Sequence, residues 1–255
     1  MPAVHIAPEG KVAFVSGSNR GVGKAITTEL LEHGAQKVYA GARNVDSLSE
    51  LTAIYQDRLV PTRLDVTDDI SIATAAENAG DVEIVINNAG VFVTGGVLSS
   101  DTLETLRKNH EVYVLGVLKV TNAFIDALRK KPTAASVNMS SVAGLGNMPM
   151  AATYSVTKAA VHSITQGMRG ELANDNIVVV GVYPGPIDTD MGKNIDMDKE
   201  SPENVAKDVV QGLIEGKEDI FPDAMSKSIG QAYMSDPKTV ETQFSQYESQ
   251  TSTTQ

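Results

Sequence analysis

Apolar residues along this chain come in two rhythms. Short unbroken runs, many of them β-branched, read as buried strands: KVAFVS (11–16), KVYAGA (37–42), RLVPTRLD (58–65), VEIVIN (82–87), ASVNM (135–139) and NIVVVGVYP (176–184). Between them lie longer segments with apolar residues on one helical stripe, such as Ile26, Leu30 and Leu31 in KAITTELLEHGA, which His33-Gly34 closes. Further helices are expected over DSLSELTAIY, over 69–79, as one long helix over 101–130 that stops before Pro132, and from the region of Tyr154 to about Asn174. Ser201-Pro202-Glu203 opens another helix, with serine as cap and proline in the first turn, and GKEDIFPD (216–223) carries a short last strand. Continuous apolar strands alternating with helices predict an α/β fold, a parallel sheet covered on both faces.

The pattern sets the boundaries as well. Residues 1–10 read as a loose lead-in and 11–236 as a single domain; 186–200 read as a polar lid and 237–255 as a polar tail whose end, QTSTTQ, is expected to be disordered. A length of 255 residues with 42% hydrophobic and 21% charged residues supports one sizeable core. The absence of cysteine removes disulfides, thiolate nucleophiles and cysteine-based metal sites, and fits a reducing, cytoplasmic setting. The net charge of −11 argues against nucleic acid and anionic membrane surfaces as partners. MPAVHIAPEG has neither the basic region nor the apolar run of a signal peptide, and no apolar run is long enough to span a bilayer. His5, His33, His110 and His162 are scattered, so no metal site is expected.

Candidate chemistry begins at SGSNRGVG. Gly17, Gly21 and Gly23 sit between a buried strand and a helix, where backbone must turn tightly and approach a ligand closely. The helix start offers unpaired N–H groups to a diphosphate, so Gly17, Ser18, Asn19, Arg20, Gly21, Val22 and Gly23 are expected to hold a dinucleotide. The spacing is G-x-x-x-G-x-G rather than G-x-G-x-x-G. The second strand ends in Gly41-Ala42-Arg43-Asn44, without the carboxylate that binds a ribose 2′-hydroxyl; the nearest acid is Asp46. Arg43 with Arg20 could clamp a 2′-phosphate, which points to NADP(H); otherwise they are two surface arginines.

The second centre of chemistry is SVAGLGNMPMAATYSVTK (141–158). Tyr154 and Lys158, four apart, share a helix face, and Ser141 precedes the tyrosine by thirteen residues. Reducing a ketone leaves charge on oxygen, which needs a proton and a stabilising donor. A free phenol, with a pKa near ~10, is a poor two-way carrier at neutral pH, and a neighbouring cation is expected to lower that value. Tyr154 is therefore the expected general acid in reduction and base in oxidation, Lys158 its cation, and Ser141 the hydroxyl that fixes the substrate oxygen.

These motifs, with LDVTD, NNAG and PGPIDT, resemble the short-chain dehydrogenase/reductase family over about residues 11–190, in its short, single-domain, carbonyl-reductase-like branch. The resemblance implies a three-layer, doubly wound Rossmann-type sheet of about seven strands and hydride transfer between NAD(P) and an alcohol or ketone. It implies that Asp65 and Val66 flank the adenine, and that Asn88, Ala89 and Gly90 line the ribose side, Asn88 also bracing the central strands. Pro184, Gly185, Ile187 and Thr189 would touch the nicotinamide end, and Lys158 would hydrogen-bond the nicotinamide ribose beside Tyr154. Two positions depart from the family's pattern. Ser16 replaces a threonine and keeps the hydroxyl. Tyr113 stands where the family has an asparagine thought to hold a water of the proton relay; Asn109 could take its place only by a register shift. Tyr113 either packs or holds the water from another angle.

Met148, Met150, Met191, Ile195 and Met197 either line an adaptable apolar pocket or simply pack. No basic cluster accompanies them, so the expected substrate is a neutral, moderately apolar ketone, aldehyde or secondary alcohol. Two other readings share the fold: a halohydrin-dehalogenase-like lyase, in which arginine would replace Lys158, and a non-enzymatic NADP-binding regulator, which would lose the Tyr-Lys pair. The resemblance also implies a homodimer or homotetramer through the helices at about 101–130 and 153–174.

Overall fold

A computed structural model describes residues 5–247 of the chain. Seven parallel strands form one sheet in the order β3-β2-β1-β4-β5-β6-β7. They are β1 (Val12–Ser16), β2 (Lys37–Ala42), β3 (Leu59–Arg63), β4 (Ile84–Asn87), β5 (Ala134–Met139), β6 (Ile177–Val182) and β7 (Asp219–Ile220). Strand order reverses between β1 and β4, which leaves a crevice beyond their carboxyl ends, the place where such sheets bind ligands.

The unbroken apolar runs of β1, β2, β4, β5 and β6 are explained by burial on both sides, whereas β3, at the sheet edge, leaves Pro61 and Arg63 exposed. In β1, Ala13 and Val15 face one helical layer while Val12 and Phe14 face the other. The first layer holds α1 (Gly21–Glu32), α2 (Ser49–Tyr55) and α7 (Pro202–Glu215), through Ile26, Leu30, Leu51, Val209 and Leu213. The second holds α3 (Asp69–Asn78), α4 (Thr102–His110), α5 (Gly116–Arg129) and α6 (Ala152–Glu171), with Ile72, Val120 and Phe124 against the sheet. Two further helices, α8 (Ala224–Ser235) and α9 (Pro237–Phe244), lie beyond β7 in the chain.

Four expectations need correction. The third strand stops at Arg63, because Asp65 turns back to accept the N–H and hydroxyl of Thr67 at 3.0 and 2.7 Å. The helix expected over 101–130 is not uniform: Glu111–Leu115 form a wider π turn between α4 and α5. The lead-in is not wholly loose, since Ile6 is buried and its N–H donates to the Leu213 carbonyl at 3.1 Å. The tail after Asp236 is not simply polar either. Asp236 caps α9 with Pro237 in the first turn, and Val240 and Phe244, one helical turn apart, are fully buried. A Cβ on Gly146 would lie 2.9 Å from Val240 and 3.0 Å from Phe244, so α9 sits directly on the loop that leads to Tyr154. The expected disorder of QTSTTQ concerns residues outside those described.

Candidate active site

One cavity of about 860 Å³ opens over the carboxyl ends of the strands. At its first corner, β1 passes into the glycine loop. Gly17 (φ +73°) and Gly21 (φ +52°) hold left-handed backbone. Gly23 is required for space: a Cβ there would lie 2.0 Å from the Gly17 carbonyl oxygen. The first turn of α1 has neither a side-chain cap nor an acidic residue, so its leading amides are left for an anion. Asn88 ties the loop down, donating to the Ser16 and Gly17 carbonyls at 2.9 and 3.2 Å. The Ser16 hydroxyl accepts the Asn88 and Ala89 N–H groups at 2.9 and 3.0 Å and donates to Ile86 O at 3.2 Å, knitting β1 to β4.

Gly17, Asn19, Arg20, Gly21, Val22 and Gly23 line the cavity. Ser18 does not: it is fully buried, and its hydroxyl turns inward to the Val15 carbonyl at 2.7 Å. At the next corner Arg43 lines the wall, joined by Asn44 and Ser47, which the sequence did not single out. The Asn44 side chain accepts the N–H of Asp46 at 3.0 Å, and Asp46 is not among the lining residues. Asp65 and Val66 form the adjoining wall. The Asp65 carboxyl is held below its usual range by the Thr67 N–H first, against a desolvation penalty, with help from the Thr67 hydroxyl and the charges of Arg43 and Arg63.

At the far corner Ser141, Tyr154 and Lys158 come together with Gly90, Pro184, Gly185 and Ile187, whereas Thr189 sits back against Gly21 of the glycine loop. Ser141 opens a short 3-10 turn after β5; its Oγ accepts the Ala143 N–H and donates to the Pro184 carbonyl, both at 3.2 Å. The turn is pressed on α6, for a Cβ on Gly144 would lie 2.6 Å from the Lys158 carbonyl oxygen. The Tyr154 ring is fixed edge-on by Phe92 and Tyr113, with centroids 5.1 and 5.7 Å away. Phe92 carries no periodic signal, because it lies in an irregular segment after β4. Met148, Met150, Met191, Ile195 and Met197 all face the cavity. The 186–200 segment is pinned at both ends by main-chain bonds, Asp188 N–H to Glu200 O at 2.8 Å and Glu200 N–H to Pro186 O at 3.0 Å. Its Asp190 reaches across the mouth to Arg20 at 3.5 Å.

The electrostatics differ from the simple expectation. Burial pushes the Tyr154 phenol up to about 12, partly opposed by the nearby hydroxyls of Ser141 and Tyr113. Desolvation brings Lys158 down to about 7. The lysine does not face the phenol directly: its Nζ donates to the Met139 carbonyl at 2.6 Å and sits 3.8 Å from the centroid of the Tyr113 ring, against 5.5 Å for Tyr154. In this arrangement the ammonium does not acidify the phenol, and burial dominates both groups.

A buried lysine of this kind has a stability signature. An unfolded lysine titrates near ~10.4. The penalty for burying its charge is therefore full below about pH 7 and fades as pH rises towards ~10.4, where the unfolded chain binds more protons than the folded one. Lys158→Met is expected to melt several degrees higher than the wild type at neutral pH, with the gap narrowing towards alkaline pH. Thermal melts of both proteins across that range check it; a gap independent of pH would contradict the burial argument.

A glycine loop at the point where strand order reverses, an uncapped helix start and a Ser/Tyr/Lys cluster at the far end of one cavity define a doubly wound dinucleotide-binding oxidoreductase fold. Within that class the chain belongs to the short-chain dehydrogenase family, whose profile matches residues 11–200. An uncharacterized oxidoreductase of Staphylococcus aureus (strain MRSA252) is 32% identical over 215 residues, 81% of this chain and 92% of that one. A short-chain dehydrogenase from Burkholderia cenocepacia J2315, solved in complex with NADP, superposes with a TM-score of 0.87 at 35% identity, covering 94% of this chain and 99% of that one. An alcohol dehydrogenase from Thermococcus sibiricus, complexed with 5-hydroxy-NADP, gives a TM-score of 0.73 at 26% identity over 83% of this chain and 95% of that one.

Proposed function

We propose that this oxidoreductase uses NADP(H) and interconverts a neutral, moderately apolar ketone or aldehyde with its alcohol, with Tyr154 as the proton carrier. The observation that carries the reading is one cavity with the Arg43 cation, and no carboxylate, at the end of β2 and a Ser141/Tyr154/Lys158 corner at its other end. The cavity fits the nucleotide on its own terms. The glycine loop is too tight for any Cβ at Gly23, its helix start is free for a diphosphate, and Asp46 does not line the cavity beside Arg43. The related Burkholderia enzyme, bound to NADP, supports the same choice.

When bound, the nicotinamide gives or takes the hydride; the protein's own residues manage the oxygen. Ser141 Oγ would hydrogen-bond the substrate oxygen and set its angle. Tyr154 would donate its phenolic proton to that oxygen in reduction and recover it in oxidation. Lys158 and Arg43 would bind the nucleotide's polar ends, while Phe92 and the methionines exclude water and accept an apolar substituent. The 186–200 segment, with Asp190 across the mouth, would act as the lid.

Arg43→Ala tests the cofactor. One charge-assisted hydrogen bond is worth about 1.5–3 kcal/mol, so the KM for NADPH should rise about ten- to a hundredfold while that for NADH stays near its starting value. Steady-state assays with both nucleotides on an aldehyde and ketone panel decide it. Equal use of NADH by the wild type would rule the assignment out.

A further inference from the structure

Tyr113 sits within the π turn between α4 and α5, and it touches every member of the proton-transfer pair. It is buried, with 4% of its surface exposed. Its ring lies 3.8 Å from the Lys158 ammonium and stands at 79° to the ring of Tyr154. Its hydroxyl donates to the Val91 carbonyl and is close enough to Tyr154 to favour the ionised phenol. The neighbouring backbone is shaped for it: a Cβ on Gly90 would lie 2.7 Å from the Tyr113 hydroxyl and 2.9 Å from its ring.

We propose that Tyr113 is a positioning residue for the reaction: its ring seats the Lys158 ammonium, and its single O–H swings between the Val91 carbonyl and the Tyr154 oxygen. While Tyr154 is a phenol, Tyr113 donates to Val91. Once Tyr154 has given its proton to the substrate oxygen, the same O–H turns to the phenolate. Tyr113 keeps its proton throughout, so the step rotates a hydroxyl and breaks no bond. Burial and the neighbouring Tyr154 both raise the Tyr113 phenol well above its ordinary range, which keeps it a donor. The titratable groups facing it are Tyr154 and Lys158, both on α6. The 88–97 segment presents carbonyls and no charged side chain, β5 presents the Met139 carbonyl, and Glu111 on Tyr113's own turn pairs with Lys119 at 3.4 Å. This assignment rests on the reading of Tyr154 as proton carrier.

The test compares wild type and Tyr113→Phe, which keeps the ring and loses the hydroxyl. In protein carrying isotope-labelled tyrosine, the Tyr154 resonance is assigned by its loss in Tyr154→Phe and followed with rising pH, with oxidised NADP present. The positive nicotinamide lowers that midpoint in the wild type, and in Tyr113→Phe it is expected to lie about one to two pH units above the wild-type value in the same complex, the worth of one hydrogen bond to a charged oxygen. The pH at which alcohol oxidation levels off should move up equally, with the KM for NADP unchanged. Gly90→Ala, which displaces the hydroxyl while retaining it, should move the Tyr154 midpoint in the same direction and serves if Tyr113→Phe does not fold. A Tyr154 resonance with the same pH course in wild type and variants overturns the proposal. A shifted resonance in a protein that turns over no carbonyl or alcohol would leave the Tyr113 contact standing and remove the oxidoreductase reading; turnover with an unshifted resonance would do the reverse.

Discussion

Tyr154→Phe is expected to bind NADPH as the wild type does and to reduce carbonyls about a thousandfold more slowly, within the span of ~10²–10⁴ that a positioned proton donor contributes. The variant loses one oxygen and keeps the ring. Both edge-on contacts, to Phe92 and Tyr113, are made by carbon atoms of that ring, so the pocket should hold its shape. The hydrogen bond from Thr157 goes to the main-chain carbonyl of Tyr154 and is untouched. Nucleotide affinity is read by fluorescence titration and turnover by NADPH absorbance. The pH course adds a second reading. In this structure the Tyr154 phenol lies at about 12, so alcohol oxidation, which needs the phenolate, should rise with pH through the neutral range, whereas ketone reduction should not. Turnover within a few-fold of wild type in Tyr154→Phe would mean that another group carries the proton.

Gly23→Ala is expected to abolish nucleotide binding and to lower the melting temperature by roughly 10 °C, equivalent to about 3 kcal/mol for a domain of this size. The added Cβ would stand 2.0 Å from the Gly17 carbonyl oxygen and 2.4 Å from the Asn88 amide, and neither can yield cheaply. Gly17 is backbone in a left-handed turn, and Asn88 is held by its bonds to Ser16 and Gly17. Gly167→Ala is the control: nothing lies within 4 Å of a Cβ there, and alanine in a helix interior should be neutral or stabilising. Calorimetry of the two variants separates crowding from a general loss of glycine. A Gly23→Ala protein with wild-type affinity for NADPH would show that the loop is not the diphosphate cradle.

Much of the architecture could be read from residue order because the fold is built from signals that act locally. Five of the seven strands are continuous buried runs, and two of the first-layer helices carry a clear start or stop, His33-Gly34 for α1 and Ser201-Pro202 for α7. The glycine loop, Arg43 and the Tyr154–Lys158 spacing were equally legible, since each depends on chain geometry over a few residues; Ser141 was marked only by its place thirteen residues before the tyrosine. What escaped depends on the partners each side chain finds once the chain has folded. Ser18 belongs to the glycine motif, yet the strand end beneath it offers a carbonyl that takes its hydroxyl inward. The π turn at Glu111–Leu115 has no composition of its own; it is held by contacts to 88–97, where Tyr113 meets Val91 and Asn109 donates to Val93 O at 2.7 Å. The charge states of Tyr154 and Lys158 escaped for the same reason. Four residues' separation says that two side chains share a face, and says nothing of the Met139 carbonyl and aromatic ring that draw the ammonium aside.

Helix α9 has a consequence for divergence within the family. Nearly all contacts expected to hold nucleotide lie before residue 190, whereas the wall behind the serine leans on Val240 and Phe244, almost at the other end of the chain. Descendants could therefore exchange their last few dozen residues and acquire a differently contoured substrate chamber, while inheriting the same redox half-reaction unchanged.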